Sequence, residues 1–312
     1  MLIQALIFLL ALIILYAGGE LFVKGSSSTA RIFGIKPLII GLVIAAFATS
    51  SPEFFVSLLA VLRKNSDLAI GNVIGSCIAN IGLALGIAAL FKPITIKSSI
   101  IRRELPILVV VTLVFFAMCL DYRISKLEAF LLIISFFLFI FYCIKTAKED
   151  AQSSEYPEAA RPYPRARPFI FLAAGLAGLL IGAHFLVESS VSIARHFGIS
   201  DMLIGLSIVA IGTSLPEIVT SIMASVRGES DISIGTVVGS NIFNILAIVG
   251  FVCFISPVSI KPGVIMISLP LLLLYTLALG PILKTGLKIS RAEGAFLIVT
   301  YFLYIYLIFI KR

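Results

Sequence analysis

The chain has 312 residues, 60% of them hydrophobic and only 13% charged, with a mean hydropathy of +1.15. Soluble domains carry about a quarter charged residues, so a soluble fold is excluded. The net charge of +8 does not point to nucleic acid, because the basic residues punctuate the loops and gather into no patch.

Apolar runs long enough to cross a roughly 30 Å hydrocarbon core recur from end to end. Ten spans are predicted, at 2–23, 36–62, 68–91, 104–121, 124–145, 168–188, 200–226, 232–255, 264–283 and 293–310. The expected fold is an all-α polytopic membrane protein, since the alternating segments of a β-barrel are absent. Residues 1–18 have the apolarity of a signal peptide but lack a basic n-region. They also align with a later internal span and are read as the first transmembrane helix. An even number of spans puts both termini on one side. The loops on the side of the 145–168 connector hold 16 of the 24 Lys and Arg, the opposite side 8. The positive-inside rule then places the connector in the cytoplasm and both termini outside the plasma membrane.

The halves repeat. At an offset of 164, Gly18 to Gly41 matches Gly182 to Gly205, and the register holds through Asp67 to Gly82 against Asp231 to Leu246. Pro93 with Pro257 and Pro106 with Pro270 keep the offset, and it slips by one where ISKLEAF from Ile124 resembles ISRAEGAF from Ile289. Each copy holds five spans, and an odd number makes the second enter the membrane from the opposite side, as an inverted repeat. The organisation expected is 1–146, a cytoplasmic linker at 147–167, and 168–312. The linker mixes charges with prolines and reads as flexible. Its acids, Glu149, Asp150, Glu155 and Glu158, lack EF-hand spacing.

The chemistry sits in AFATSSPE from Ala46 and its near-copy AIGTSLPE from Ala210. Glu53 is the only ionisable residue between Pro37 and Leu62, and Glu217 the only one between Met202 and Val226. A carboxylate at mid-membrane costs at least about 2.5–3.5 kcal/mol, and such residues mark ion or substrate paths. The blander alternative is a buried protonated acid tying two helices. Pro52 and Pro216 cannot donate to the carbonyls of Ala48 and Gly212, and the hydroxyls of Thr49, Ser50, Thr213 and Ser214 stand beside them. Carboxylate, carbonyl and hydroxyl are hard oxygen ligands suited to Na+ or Ca2+. Asn72, Ser76 and Asn80 share one helix face, as do Thr236, Ser240 and Asn244; either face is a neutral oxygen set or a polar packing seam. Gly71 with Gly75, and Gly235 with Gly239, are spaced for close helix approach.

Glu20, Lys24, His184 and Glu188 are read as interfacial, and His196 as a loop residue. The four cysteines sit in or beside apolar spans as small hydrophobes. No nucleophile–base pair, phosphate loop or H-E-x-x-H pattern appears, so neither an enzyme nor a cofactor is expected.

T-S-x-P-E in spans 2 and 7, followed by GSCIAN from Gly75 and GSNIFN from Gly239, resembles the α-repeats of the sodium/calcium exchanger family, in its compact prokaryotic form. The resemblance implies that Glu53 and Glu217 bind Ca2+ and share in Na+ binding, with the carbonyls of Thr49 and Thr213 in the Ca2+ shell. It further implies that the carbonyls of Ala46 and Ala210, with Ser76 and Ser240, complete flanking Na+ sites. Ser50, Ser214, Asn80 and Asn244 match further site positions. The implied activity is exchange of several Na+ for one Ca2+, with spans 1 and 6 sliding over a fixed core. Asn244 stands where some members have Asp, which argues against K+ dependence. Ala48 and Ser51 replace the usual Gly and Leu. A Ca2+/H+ exchanger and a passive cation channel are the competing readings; the number of copies in an assembly is not predicted.

Overall fold

A computed structural model of the chain describes residues 2–152, 166–198, 210–284 and 286–310. Every long element is helical, because backbone in hydrocarbon must satisfy its hydrogen bonds internally. In chain order these are α1 (Leu2–Phe33), α2 (Pro37–Thr49), α3 (Ser51–Leu62), α4 (Ser66–Phe91), α5 (Ile100–Asp121), α6 (Lys126–Gln152), α7 (Arg167–His196), α8 (Ala210–Gly212), α9 (Leu215–Val226), α10 (Ser230–Ile255), α11 (Val264–Lys284) and α12 (Arg291–Ile310). Among the described residues, eight helices are long and apolar enough to cross a membrane, and the pair α2 and α3, bent by 43°, makes a ninth span. The predicted span 200–226 falls partly outside the described residues, with only α8 and α9 seen.

Three boundaries differ from expectation. Helices α1 and α7 run to Phe33 and His196, well past the predicted 23 and 188, and His196 ends a helix instead of lying in a loop. The Ser/Thr-rich tail of α1 stays helical because it is buried: Ser26 and Thr29 are 0% exposed. Helix α6 continues to Gln152, so the start of the expected linker is helical; 153–165 lies outside the described residues.

Burial separates two classes of helix. The apolar windows of α4 and α10 are 83% buried, against 22–33% for the other long helices. These two form the centre, and the rest present Leu, Ile and Phe to lipid. Both central helices widen into a π turn after one polar residue, at Asn80–Leu85 and Asn244–Val249. Such turns interrupt the i→i−4 ladder and recur at functional sites.

Contacts between the halves recur at the repeat offset on two different faces. On one, β1 (Ile94–Thr95) pairs antiparallel with β4 (Lys288–Ile289), and Lys97 Nζ lies 2.8 Å from Asp231. On the other, β2 (Arg123–Ile124) pairs with β3 (Val258–Ser259), and Lys261 Nζ lies 2.7 Å from Asp67. The S-x-x-E sequences that opened the resemblance near Ile124 and Ile289 are reciprocal caps: Ser125 N–H donates to Glu128 at 2.8 Å, and Ser290 N–H to Glu293 at 2.7 Å.

Helix α1 makes its most extensive contact with α7. The backbones approach so closely that a Cβ on Gly175 would stand 2.3 Å from Phe22 N, and one on Gly18 would stand 2.7 Å from Leu179 N. Helix α2 lies as tightly on α10, where a Cβ on Gly239 would meet the Leu42 carbonyl at 2.4 Å. The expected close approach at Gly235 and Gly239 is therefore present. The surface equivalent to α2 for Gly71 and Gly75 falls at 202–206, outside the described residues.

Because backbone, not a mobile side chain, blocks position 175, Gly175→Val should cost about 1–3 kcal/mol. Thermal unfolding in detergent reads this as a lowered midpoint, and a wild-type midpoint would show that the α1–α7 contact yields.

Candidate ion site

The local sequence breaks each half-span just before its glutamate. Ser50 has φ −82° and ψ 7°, and Ser214 has φ −87° and ψ 4°. These ψ values end one helix and start the next, α3 or α9. Pro52 and Pro216 thus sit in a first turn, where no N–H is required. Phe54 N–H donates to the Ser50 carbonyl at 3.1 Å, and Ile218 N–H to the Ser214 carbonyl at 3.0 Å. The prolines therefore begin new helices rather than kinking continuous ones. Glu53 and Glu217 then fall in the first turns, at the positive ends of the helix dipoles.

Both carboxylates are 0% exposed, and each is held from the opposite half. Ser50 Oγ donates to Glu217 Oε1 at 2.8 Å, and Ser214 Oγ donates to Glu53 Oε1 at 3.1 Å. Ser76 Oγ adds a bond to Glu53 Oε1 at 3.3 Å, and Ser240 lies beside Glu217. The second oxygens, Glu53 Oε2 and Glu217 Oε2, have no protein partner; neither do Asn80 Oδ1, Ser240 Oγ, and Oδ1 and Nδ2 of Asn244. A buried acceptor with no donor is costly, and the cost falls away when a cation occupies the shared space. The set brings together two carboxyl groups and otherwise neutral oxygens. These are hard oxygen donors, which suit alkali and alkaline-earth ions better than soft metals.

Other expected residues take different parts. The Thr49 hydroxyl turns back to the Ala45 carbonyl at 2.9 Å, leaving this position its own carbonyl to offer. Thr213 Oγ1 reaches Asn72 Oδ1 at 3.5 Å. The amide of Asn72 is committed to the Glu53 carbonyl at 3.1 Å and to Ser57 Oγ at 2.9 Å, while Thr236 bonds back to the Ile232 carbonyl at 2.8 Å. Both behave as packing seams, the blander of the two readings. The Ala46 carbonyl accepts from Ser50 N–H at 3.0 Å; in the second copy Ser214 N–H turns to Ile211 instead of Ala210, at 3.1 Å. Glu20 meets Arg227, and His184 lies 3.7 Å from Glu188, all away from the carboxylates.

One residue was not anticipated. Asn241 Nδ2 donates to the Cys77 carbonyl at 3.1 Å, and Asn80 Nδ2 donates to Asn241 Oδ1 at 3.1 Å. Cys77 and Asn241 are 164 apart, so α4 and α10 cross where each meets its own counterpart. The signal was a second Asn in GSNIFN where the first copy has Cys. Asn241→Leu should strip partners from both Asn80 and Cys77 and destabilise by about 1–3 kcal/mol. Thermal unfolding in detergent measures it; an unchanged midpoint would deny the crossing its structural weight.

Comparison with known proteins assigns the chain to a family. The family model described as sodium/calcium exchanger protein matches residues 3–145 and 167–310. The protein CaxA of Alkalimonas amylolytica is 40% identical over 99% of each chain. The sodium/calcium exchanger MaX1 of Methanosarcina acetivorans is 30% identical, covering 97% of this chain and 98% of its own. Among solved structures, the sodium-calcium exchanger NCX_Mj soaked with 2.5 mM Na+ and 0.1 mM Ca2+ superposes with a TM-score of 0.83 at 31% identity, over 97% of both chains. With the family model spanning nearly the whole chain, this protein belongs to the sodium/calcium exchanger family.

Proposed function

We propose that this protein is a secondary active antiporter that exchanges Na+ for Ca2+ at one central site, between two inverted five-helix repeats of a ten-helix fold. The observation that carries the reading is the reciprocal pair of serine–carboxylate bonds, with one oxygen of each carboxylate left to an ion. The repeat is supported by the offset of 164 and by the paired ribbons and ion pairs on two faces.

Charge decides the exchange. Two ionised glutamates are neutralised by one Ca2+ or by two Na+, and the same oxygens cannot fully serve both. Occupancy by one ion therefore excludes the other, which is the requirement for antiport. Glu53 and Glu217 would hold Ca2+ with the carbonyls of Thr49 and Thr213. Ser50, Ser76, Ala46 and their counterparts Ser214, Ser240 and Ala210 would hold Na+ to either side, with Asn80 and Asn244 in the middle. Alternating access follows from an enclosed site between symmetric halves. The tight α1–α7 interface supports these two helices moving together over the core. The loop charges favour a plasma-membrane orientation with both termini outside. Two acids rather than three favour exchange independent of K+.

Proteoliposomes with imposed gradients test the coupling ion. Ca2+ uptake should follow an opposed Na+ gradient and ignore a pH gradient; the reverse result would establish the Ca2+/H+ reading, and uncoupled flux at channel rates would establish a pore. Glu53→Gln and Glu217→Gln should each abolish exchange while leaving the detergent-solubilised protein monodisperse. Wild-type flux in either variant removes that residue from the site.

A further inference from the structure

Among the described residues, five buried Ser or Thr hydroxyls have no protein partner: Ser26, Thr29, Thr220, Ser221 and Ser240. Ser240 belongs to the central site. The other four lie on α1 and α9, which pack together where Gly19 meets Val219 and Met223. All four are no more than 5% exposed. Their lack of partners is selective. Thr49, Thr112, Thr236 and Thr276 are also buried on helices, and each bonds back to the carbonyl four residues earlier at 2.8–2.9 Å. Thr220 and Thr29 do not take that bond.

Helical spacing places Thr220 and Ser221, at i+3 and i+4, on the same face of α9 as Glu217. From there α9 runs to the 227–229 turn, where Arg227 meets Glu20 and Ser27 Oγ donates to Glu229 at 2.6 Å. The hydroxyls thus lie between the central site and one face of the membrane. The equivalent stretch of the other half is sealed. Val56 stands where Thr220 would be. Ser57, the counterpart of Ser221, donates to the Ala69 carbonyl at 3.3 Å and accepts from Asn72 at 2.9 Å. Thr236, in place of Asn72, is too short to do the same and bonds within its own helix.

We infer that Glu217 Oε2, Thr220 Oγ1 and Ser221 Oγ form a way-station for Na+ on the side of the 227–229 turn. One carboxylate oxygen with two neutral hydroxyls matches a small, hard monovalent cation better than Ca2+, which takes six to eight oxygens. The station exists on one side only, so it breaks the symmetry of the two halves and makes Na+ entry from the two faces unequal.

This inference rests on the antiporter reading above. Its test is the Na+ dependence of Ca2+ flux, measured separately from each face in oriented membrane vesicles. Thr220→Val, which installs the residue of the other half, should raise the half-saturating Na+ concentration about fivefold from the face of the 227–229 turn, the scale of one lost hydrogen-bonding ligand. It should leave the other face unchanged, and Thr220→Ser should restore the wild-type value. Ser221→Ala should act in the same direction and carries the test if Thr220→Val is not recovered folded. No shift in either variant, or an equal shift on both faces, overturns the station. Absence of Na+-driven flux in the wild type would instead overturn the antiporter reading.

Discussion

The structure is organised around two carboxylates that have no cation of their own. Among the described residues neither Glu53 nor Glu217 pairs with a basic side chain; each leans on a serine from the opposite half and keeps one oxygen unengaged. Buried charges are tolerated when paired or when they coordinate an ion. Here the pairing is incomplete, and in the proposed site a bound ion would supply the remaining stabilisation. That constraint accounts for the local geometry. The helix must stop at Ser50 and Ser214 so that a carboxylate, a hydroxyl and carbonyl oxygens arrive at one level, and proline in the next first turn enforces the stop.

The same constraint explains why so much of the contact between halves is reciprocal. A serine that reaches across to a glutamate keeps its geometry only if the two halves hold register. Cys77 meeting Asn241 at the helix crossing, and ion pairs joining Lys97 to Asp231 and Lys261 to Asp67, fix that register at the centre and at both faces. The exposed pairs add little energy singly. Their value is positional.

Much of this was legible in the chain. Apolar runs exposed the polytopic all-helical class, and isolated acids within them drew attention to Glu53 and Glu217, because charge in hydrocarbon is too costly to be incidental. What could not be read was direction. A Thr in a polar stretch can face an ion or its own helix, and Thr49 spends its hydroxyl on Ala45. Asn72 looked like a ligand but is consumed by Glu53 and Ser57. Helix ends misled for a related reason: Lys24 and Ser26 look like the close of a span, yet tertiary burial carries α1 on to Phe33. Asn241 was overlooked because its counterpart is a cysteine, and reading matched pairs hides the positions where the copies disagree.

Those disagreements bear most on ion preference. Asn80 is oriented by Asn241, so its amide nitrogen is spent and its oxygen is left over; the side chain of Asn244, its counterpart, has no hydrogen-bond partner among the described residues. An oriented oxygen contributes to an ion shell without further ordering cost, whereas an unheld amide must be ordered when the ion arrives. As middle ligands of the proposed site, the two asparagines would be chemically identical and energetically unequal. In the proposed site the two glutamates set the charge, and neutral groups such as these would adjust the balance between one divalent and two monovalent ions. Asn72 bonds across to Ser57 while Thr236, its counterpart, bonds only within its own helix, a further departure from symmetry between the halves. Perfect duplication would make the two faces of a carrier bind Na+ alike, and departures of this kind would remove that equality.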